Sequence, residues 1–207
     1  MQSLSGLETN VSALYIDRKG PYPLILGADH CWDELRDARL YTGPGPVIAH
    51  PPCGPWGQLR QFCTLQSRDT GPVAVSQVRQ YGGVLEHPAG STLWSHCRMA
   101  YPGCLPDEWG GISIEVDQCR WNHPARKRSW LYIVGLKGEL PKIPEWKEPT
   151  AVIRPHRNRE GASHVPKSKR HLTPVEFARW LVDVASQCEV NHDHSRPAPQ
   201  ILFTSSP

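Results

Sequence analysis

Cys53 closes the run Val47-Ile48-Ala49-His50-Pro51-Pro52-Cys53, and a Gly54-Pro55-Trp56-Gly57 loop follows it. Val47 to Ala49 reads as the end of a buried strand. The two prolines forbid its continuation in a ladder and set a stiff, extended turn. One thiol is thereby offered at the carboxyl end of a strand, where open α/β sheets place their ligands. A lone cysteine is as a rule a packing residue. The fixed Pro-Pro ahead of this one and the glycine-rich loop behind it set it apart. Glu86 ends a second short apolar run, Val84-Leu85, and His87-Pro88-Ala89-Gly90-Ser91 follows. Arg126 and Arg128 lead into a third run, Trp130 to Val134. A thiolate added to carbon 6 of a pyrimidine makes carbon 5 nucleophilic. Such an addition needs a thiol at the ring edge, an acid near N3 and cations to balance the developing negative charge. Cys53, Glu86 and the pair Arg126 and Arg128 are the residue types it calls for. Pro52, Trp56, His87 and Ser91 are the neighbours that would line the base. Trp56 would stack on a base or cover the core, and Glu86 would alternatively pair with an arginine at a strand end.

These residues must be brought together by the elements between them. Pro72 to Tyr81 fits a helix: Ala74, Val78 and Tyr81 keep helical spacing, proline is tolerated in a first turn, and Gly82-Gly83 stops it. Strand, loop, helix and strand from Val47 to Glu86 make one βαβ unit, the building block of a parallel sheet. Both strand ends should then open on the same edge. Further strands are predicted over Val11 to Asp17, Leu24 to Leu26, Ile112 to Val116 and Trp130 to Val134. Asp29 to Arg39 suits a short helix or turn, and Gln58 to Thr64 a lid or short helix. Thr173-Pro174-Val175-Glu176 reads as a capping box with Thr173 as cap. It opens a helix whose stripe of Phe177, Ala178, Trp180, Leu181, Val184 and Ala185 packs on the sheet.

The chain has 207 residues, which suits one α/β domain over residues 1–188 and a polar tail over 189–207. Hydrophobic content is 39 % and there are 21 prolines, so loops should surround a modest core. The net charge of +3 decides nothing about nucleic acid. Its distribution is more telling, because residues 136–171 are poor in apolar periodicity and rich in Pro, Lys and Arg. Arg154, Arg157, Arg159, Lys167, Lys169 and Arg170, near Trp146 and His156, would make a small phosphate-contacting region or a solvent-facing one. Seven scattered cysteines argue for reduced thiols in a cytoplasm. Without a close Cys-x-x-Cys pair no metal site is expected. No apolar run approaches a membrane span, and no signal peptide is expected.

In order along roughly residues 45 to 185, four motifs resemble those of DNA cytosine-5 methyltransferases. Pro52-Cys53 is similar to the family's Pro-Cys nucleophile loop, and Glu86-His87-Pro88 to its Glu-Asn-Val acid motif. Arg126-Lys127-Arg128, running into a strand ended by Gly135, is similar to its Gln-x-Arg-x-Arg motif. Leu172-Thr173-Pro174-Val175-Glu176-Phe177-Ala178-Arg179 resembles the Leu-Thr-Pro-x-Glu-x-Ala-Arg helix after its recognition region. The resemblance implies a truncated Rossmann-like methyltransferase fold with a mostly parallel sheet and a small irregular basic region. It also implies a DNA base, flipped out or single-stranded, as substrate, and S-adenosylmethionine as cofactor. Against that donor, no Phe-x-Gly-x-Gly loop precedes Cys53 and no Gly-Asn-Ala-Val-Pro motif closes the chain. His87 stands for the motif asparagine, and the glutamine ahead of the arginines is not evident. The look is that of a short phage- or prophage-type relative in a host cytoplasm. Two functions remain: a transferase that modifies a DNA pyrimidine through a cysteine adduct, or a non-catalytic relic binding DNA or a protein partner, such as a counter-defence protein.

Overall fold

The computed structural model describes residues 10–57, 60–63, 69–153, 163–166, 170 and 172–189. Its centre is a six-stranded, mostly parallel sheet in a mixed α/β arrangement. In chain order the elements are β1 (Ser12–Leu14), α1 (Tyr22–Leu26), β2 (Cys31–Trp32), β3 (Val47–Ala49), α2 (Thr70–Tyr81) and β4 (Gly83–Pro88). They continue with α3 (Leu93–His96), β5 (Ile112–Asp117), β6 (Arg128–Val134), β7 (Ala151–Val152), β8 (Ser163–His164) and α4 (Val175–Ser186). The sheet runs β2-β1-β3-β4-β6-β5. The first four strands in that order are mutually parallel, and β6 runs against both β4 and β5. β7 and β8 form a separate parallel pair.

The βαβ unit is present as predicted: β3 and β4 pair in parallel with Ile48 opposite Val84, joined through α2. Gly83 permits that pairing, because a Cβ there would collide with the Val47 backbone. α2 begins two residues before Pro72 and ends at Gly82, whose positive φ of 76° suits glycine. Leu24 to Leu26 is a correction to the sequence reading: these residues belong to α1, with Pro21 at the cap and Pro23 in the first turn. Three apolar residues cannot distinguish a strand from a helical turn. The second strand comes instead at Cys31–Trp32, between single 3₁₀ turns at Ala28–His30 and Ala38–Leu40. Arg60–Phe62 is one more 3₁₀ turn. α4 is capped by Pro174 without a side-chain hydrogen bond, so the capping box expected at Thr173 does not form.

Strand alternation divides the sheet into two faces. On one, Ile48, Val84, Leu131 and Ile133 meet α4 and Tyr22 of α1; Trp121, Phe177 and Trp180 close this layer with ring centroids 4.9–6.2 Å apart. On the other, Val47, Ala49, Leu85 and Tyr132 meet Ala74, Val75 and Val78 of α2, with Trp56 and Trp94. Val184 and Val78, facing the sheet from opposite sides, are both fully buried. No described helix is long and apolar enough to cross a membrane. Of the basic region, only Arg170 among the six predicted phosphate contacts lies within the described residues. Its Nε donates to the Val165 carbonyl at 3.0 Å. Arg154, Arg157, Arg159, Lys167 and Lys169 lie outside them.

Candidate active site

The His50 amide donates to the Leu14 carbonyl at 3.0 Å, tying the end of β3 to β1. Pro51 and Pro52 carry no donor and lead the chain out of the sheet. Beyond them the turn closes on itself, since the amides of Trp56 and Gly57 both donate to the Cys53 carbonyl, at 3.1 and 2.8 Å. Trp56 in turn is anchored by Thr92, whose amide and hydroxyl donate to its carbonyl. Cys53 therefore sits at the outer end of a fixed turn, exposed at the surface.

Glu86, in the parallel neighbour strand, is buried on the α4 face. Its Oε1 accepts from the Ser129 hydroxyl and from Gln118 Nε2, the latter at 3.1 Å. Its Oε2 lies 3.1 Å from His50 Nδ1. His50 Nε2 is 2.7 Å from the Tyr22 hydroxyl. Gln118 Nε2 also reaches Ser129 Oγ at 2.9 Å, while its buried Oε1 accepts no hydrogen bond. Burial works to raise the Glu86 carboxyl. The hydrogen bond from His50, the charge of Lys127 and the Ser129 hydroxyl outweigh it and bring it down to about 2. Glu86 is thus a buried carboxylate kept ionised by its partners.

Cys53 and Glu86 follow neighbouring parallel strands, and the Glu86 charge is felt at the thiol. Desolvation by the packed turn raises the Cys53 thiol, the Glu86 charge raises it further, and the Lys127 ammonium opposes both. Arg126 and Arg128 are turned elsewhere. Arg126 Nε donates to Asp117 at 2.8 Å and Arg128 binds both oxygens of Glu115 at 2.7 and 2.9 Å; the two side chains are 61 % and 53 % exposed. Alternation along β6 sends Arg128 to the face opposite Ser129. The cation that acts on both thiol and carboxylate is Lys127, between the two arginines. Its Nζ lies 3.3 Å from the Leu172 carbonyl.

The four predicted base-lining residues divide. Pro52 is exposed beside the thiol. Trp56 is only 4 % exposed, its indole 4.8 Å from the His96 ring, so it covers the core. His87 and Ser91 are buried on the α2 face, joined at 2.7 Å between Nδ1 and Oγ. Burial lowers the His87 imidazole to about 4 against the pull of Glu86 and of the Pro51 and Pro52 carbonyls. Those carbonyls favour its protonated form without completing a hydrogen bond to Nε2. His87 accordingly stands behind the Pro-Pro turn, on the face away from Glu86. Sequence reasoning missed His50, Tyr22, Lys127, Gln118 and Ser129. His50 and Lys127 lie inside motifs already singled out; the other three carry no local signal.

A cavity of about 390 Å³ opens beside Pro52, lined by Tyr15, Asp33, Asp37 and Thr70 among others. It stands beyond the carboxyl ends of β1, β2 and β3. Strand order reverses there between β1 and β3, which is the position where open α/β sheets bind ligands. Two of its carboxylates are already engaged, Asp33 by Arg18 and the Leu35 and Arg36 amides, Asp37 by Arg39. Tyr15 and the turn into α1 occupy the place of the glycine loop that S-adenosylmethionine would require, so the residues present do not fit that donor's usual cradle. Among the described residues no cluster of His, Cys, Asp and Glu is arranged to hold a metal.

The fold and this corner define an α/β protein with an exposed thiol beside a buried, ionised carboxylate. No family model matches the chain, and searches of curated proteins and of solved structures find no significant match.

Proposed function

We propose that this protein acts on a pyrimidine base of DNA through a Cys53 adduct at ring carbon 6, on a truncated Rossmann-like methyltransferase fold. The observation that supports the reading is that the Glu86 and Lys127 charges both act on Cys53 at the carboxyl ends of two parallel neighbour strands. In the addition, the Cys53 thiol first loses its proton to solvent, which the Lys127 charge favours. A bond forms between Sγ and carbon 6, the carbon 5–carbon 6 π pair moves into the ring, and N3 takes a proton relayed through the Glu86 carboxylate from a group that donates to it. Carbon 5 is then nucleophilic. The base must leave the stack to reach the thiol. Trp146, 41 % exposed with the Arg120 and Arg126 guanidiniums 5.7 and 5.6 Å from its ring, adds an aromatic and basic surface suited to nucleic acid.

The experiment needs no donor. A carbon 5 made nucleophilic exchanges its hydrogen with solvent, so a cytosine-containing single-stranded oligonucleotide in heavy water should gain deuterium with the wild type and not with Cys53→Ser. Nucleoside analysis of DNA from cells expressing each protein would then show which group is transferred. A second reading, a non-catalytic DNA- or partner-binding protein of this fold, is favoured by the raised Cys53 thiol. DNA binding without Cys53-dependent exchange would establish it over the first.

A further inference from the structure

His50 directly follows β3, with both ring nitrogens engaged, Nδ1 by Glu86 Oε2 and Nε2 by the Tyr22 hydroxyl. The two side chains of the first pair are only 13 % and 10 % exposed. Tyr22 is 2 % exposed and its ring centroid is 5.4 Å from that of His50. The remaining partners of Glu86, the Ser129 hydroxyl and the Gln118 amide, keep their protons throughout the physiological range. Among the described hydrogen-bond partners of the carboxylate, His50 alone is of a type that exchanges a proton near neutrality. The addition proposed above requires a proton at N3. Glu86, held near 2 by its surroundings, cannot store one by itself at neutral pH.

We propose that His50 is the proton-holding residue of this site, acting through Glu86, and that Tyr22 fixes which of its two protons leaves. The inference rests on the Cys53-adduct reading. Before addition the imidazolium donates from Nδ1 to Glu86 and from Nε2 to the Tyr22 oxygen. As the Sγ–carbon 6 bond forms, the Nδ1 proton crosses to Glu86 and on to N3. Glu86 ends as the carboxylate it began as, and His50 ends neutral with its proton on Nε2. One positive charge has moved from imidazole to base, where it offsets the developing negative charge. Elimination of the thiolate returns the proton by the same route. The titratable and charged groups around His50 are Tyr22 from α1, Glu86 and His87 from β4, Cys53 three residues on, and Lys127 ahead of β6, whose charge acts on Glu86.

His50→Asn retains an amide donor near the Nδ1 position and has no proton to give. Deuterium exchange at carbon 5 should fall by about a hundredfold, the scale of general acid catalysis. The alkaline fall in the wild-type pH profile should vanish, while the melting temperature stays near the wild-type value. A variant that keeps the wild-type rate and profile would reduce His50 to a structural prop and overturn the proposal. If His50→Asn does not fold, Tyr22→Phe decides: its profile should shift, and an unmoved profile overturns the proposal. Nitrogen NMR of the His50 ring tests the assignment without any substrate. At neutral pH both ring nitrogens should carry a proton, and a ring protonated at one nitrogen alone would refute the assignment. Should the wild type exchange no deuterium while both ring nitrogens carry protons, the Cys53 reading fails and the proton assignment stands.

Discussion

Glu86 and His87 are consecutive residues of one strand, both nearly inaccessible, at 8 % and 1 %. They solve burial in opposite ways. Glu86 points to the α4 face and keeps its charge, because His50, Gln118 and Ser129 donate to it and Lys127 lies near. His87 points to the α2 face and gives up its charge, with Ser91 on one side and Trp94 at a ring separation of 6.5 Å on the other. Depth is the same; the partners differ. A residue placed on β4 becomes a site or a prop according to its parity in the strand.

The sharpest way to break this contrast is to remove the charged member. Glu86→Ala leaves His50, Gln118 and Ser129 facing a void, and disrupting a buried charge network in this way costs about 3–5 kcal/mol. Urea unfolding at neutral pH measures it. A loss within about 1 kcal/mol would show that the carboxylate is not the hub of this corner.

His87 predicts a pH dependence of its own. Its folded imidazole is lowered from 6.5 to about 4, so the unfolded chain binds the proton first. The stability it contributes is complete above about pH 6.5 and is lost as pH falls towards 4, a change on the order of 3 kcal/mol. Glu86, lowered from 4.5 to about 2, loses its contribution mainly below that window, as pH falls from about 4.5 towards 2. His87→Gln should therefore flatten the stability profile between these limits and leave the more acidic fall in place. A profile unchanged by the substitution would place the titrating group elsewhere.

The βαβ unit was legible because Val47 to Ala49 and Val84 to Leu85 are short apolar runs, each followed by a chain-breaking proline segment. That the two strands pair in parallel and end on the same sheet edge followed from that alone. Three things were not legible. Leu24 to Leu26 is too short for periodicity to separate helix from strand. Arg126 and Arg128 drew attention by charge, yet their direction depends on a ladder with β5 that puts Glu115 and Asp117 in reach. Gln118 and Tyr22 reach the site from elements distant in sequence, and a contact made by tertiary packing leaves no local pattern. His50 was visible in the motif but looked like part of the turn; only its parity with Ile48 places it on the face of Glu86.

The smallest effect concerns the thiol, and it tests whether the charged corner extends to Cys53. Exposure alone would make Cys53 a fast target for iodoacetamide, since alkylation follows access and thiolate fraction. The thiol is instead raised by desolvation and by the Glu86 charge, with Lys127 working against them. At a fixed mildly alkaline pH, Cys53 should thus react more slowly than a thiol in an unstructured peptide. Glu86→Gln removes the repelling charge and should quicken the reaction by roughly threefold, while Lys127→Ala should slow it by a similar factor. The two substitutions act in opposite senses on one rate, so a general loosening of the fold cannot imitate them. It would accelerate both. Peptide mass mapping assigns the label to Cys53 and separates it from Cys63 and Cys104. If both variants match the wild type, Cys53 lies outside the field of the buried pair, and the shared corner is a packing coincidence.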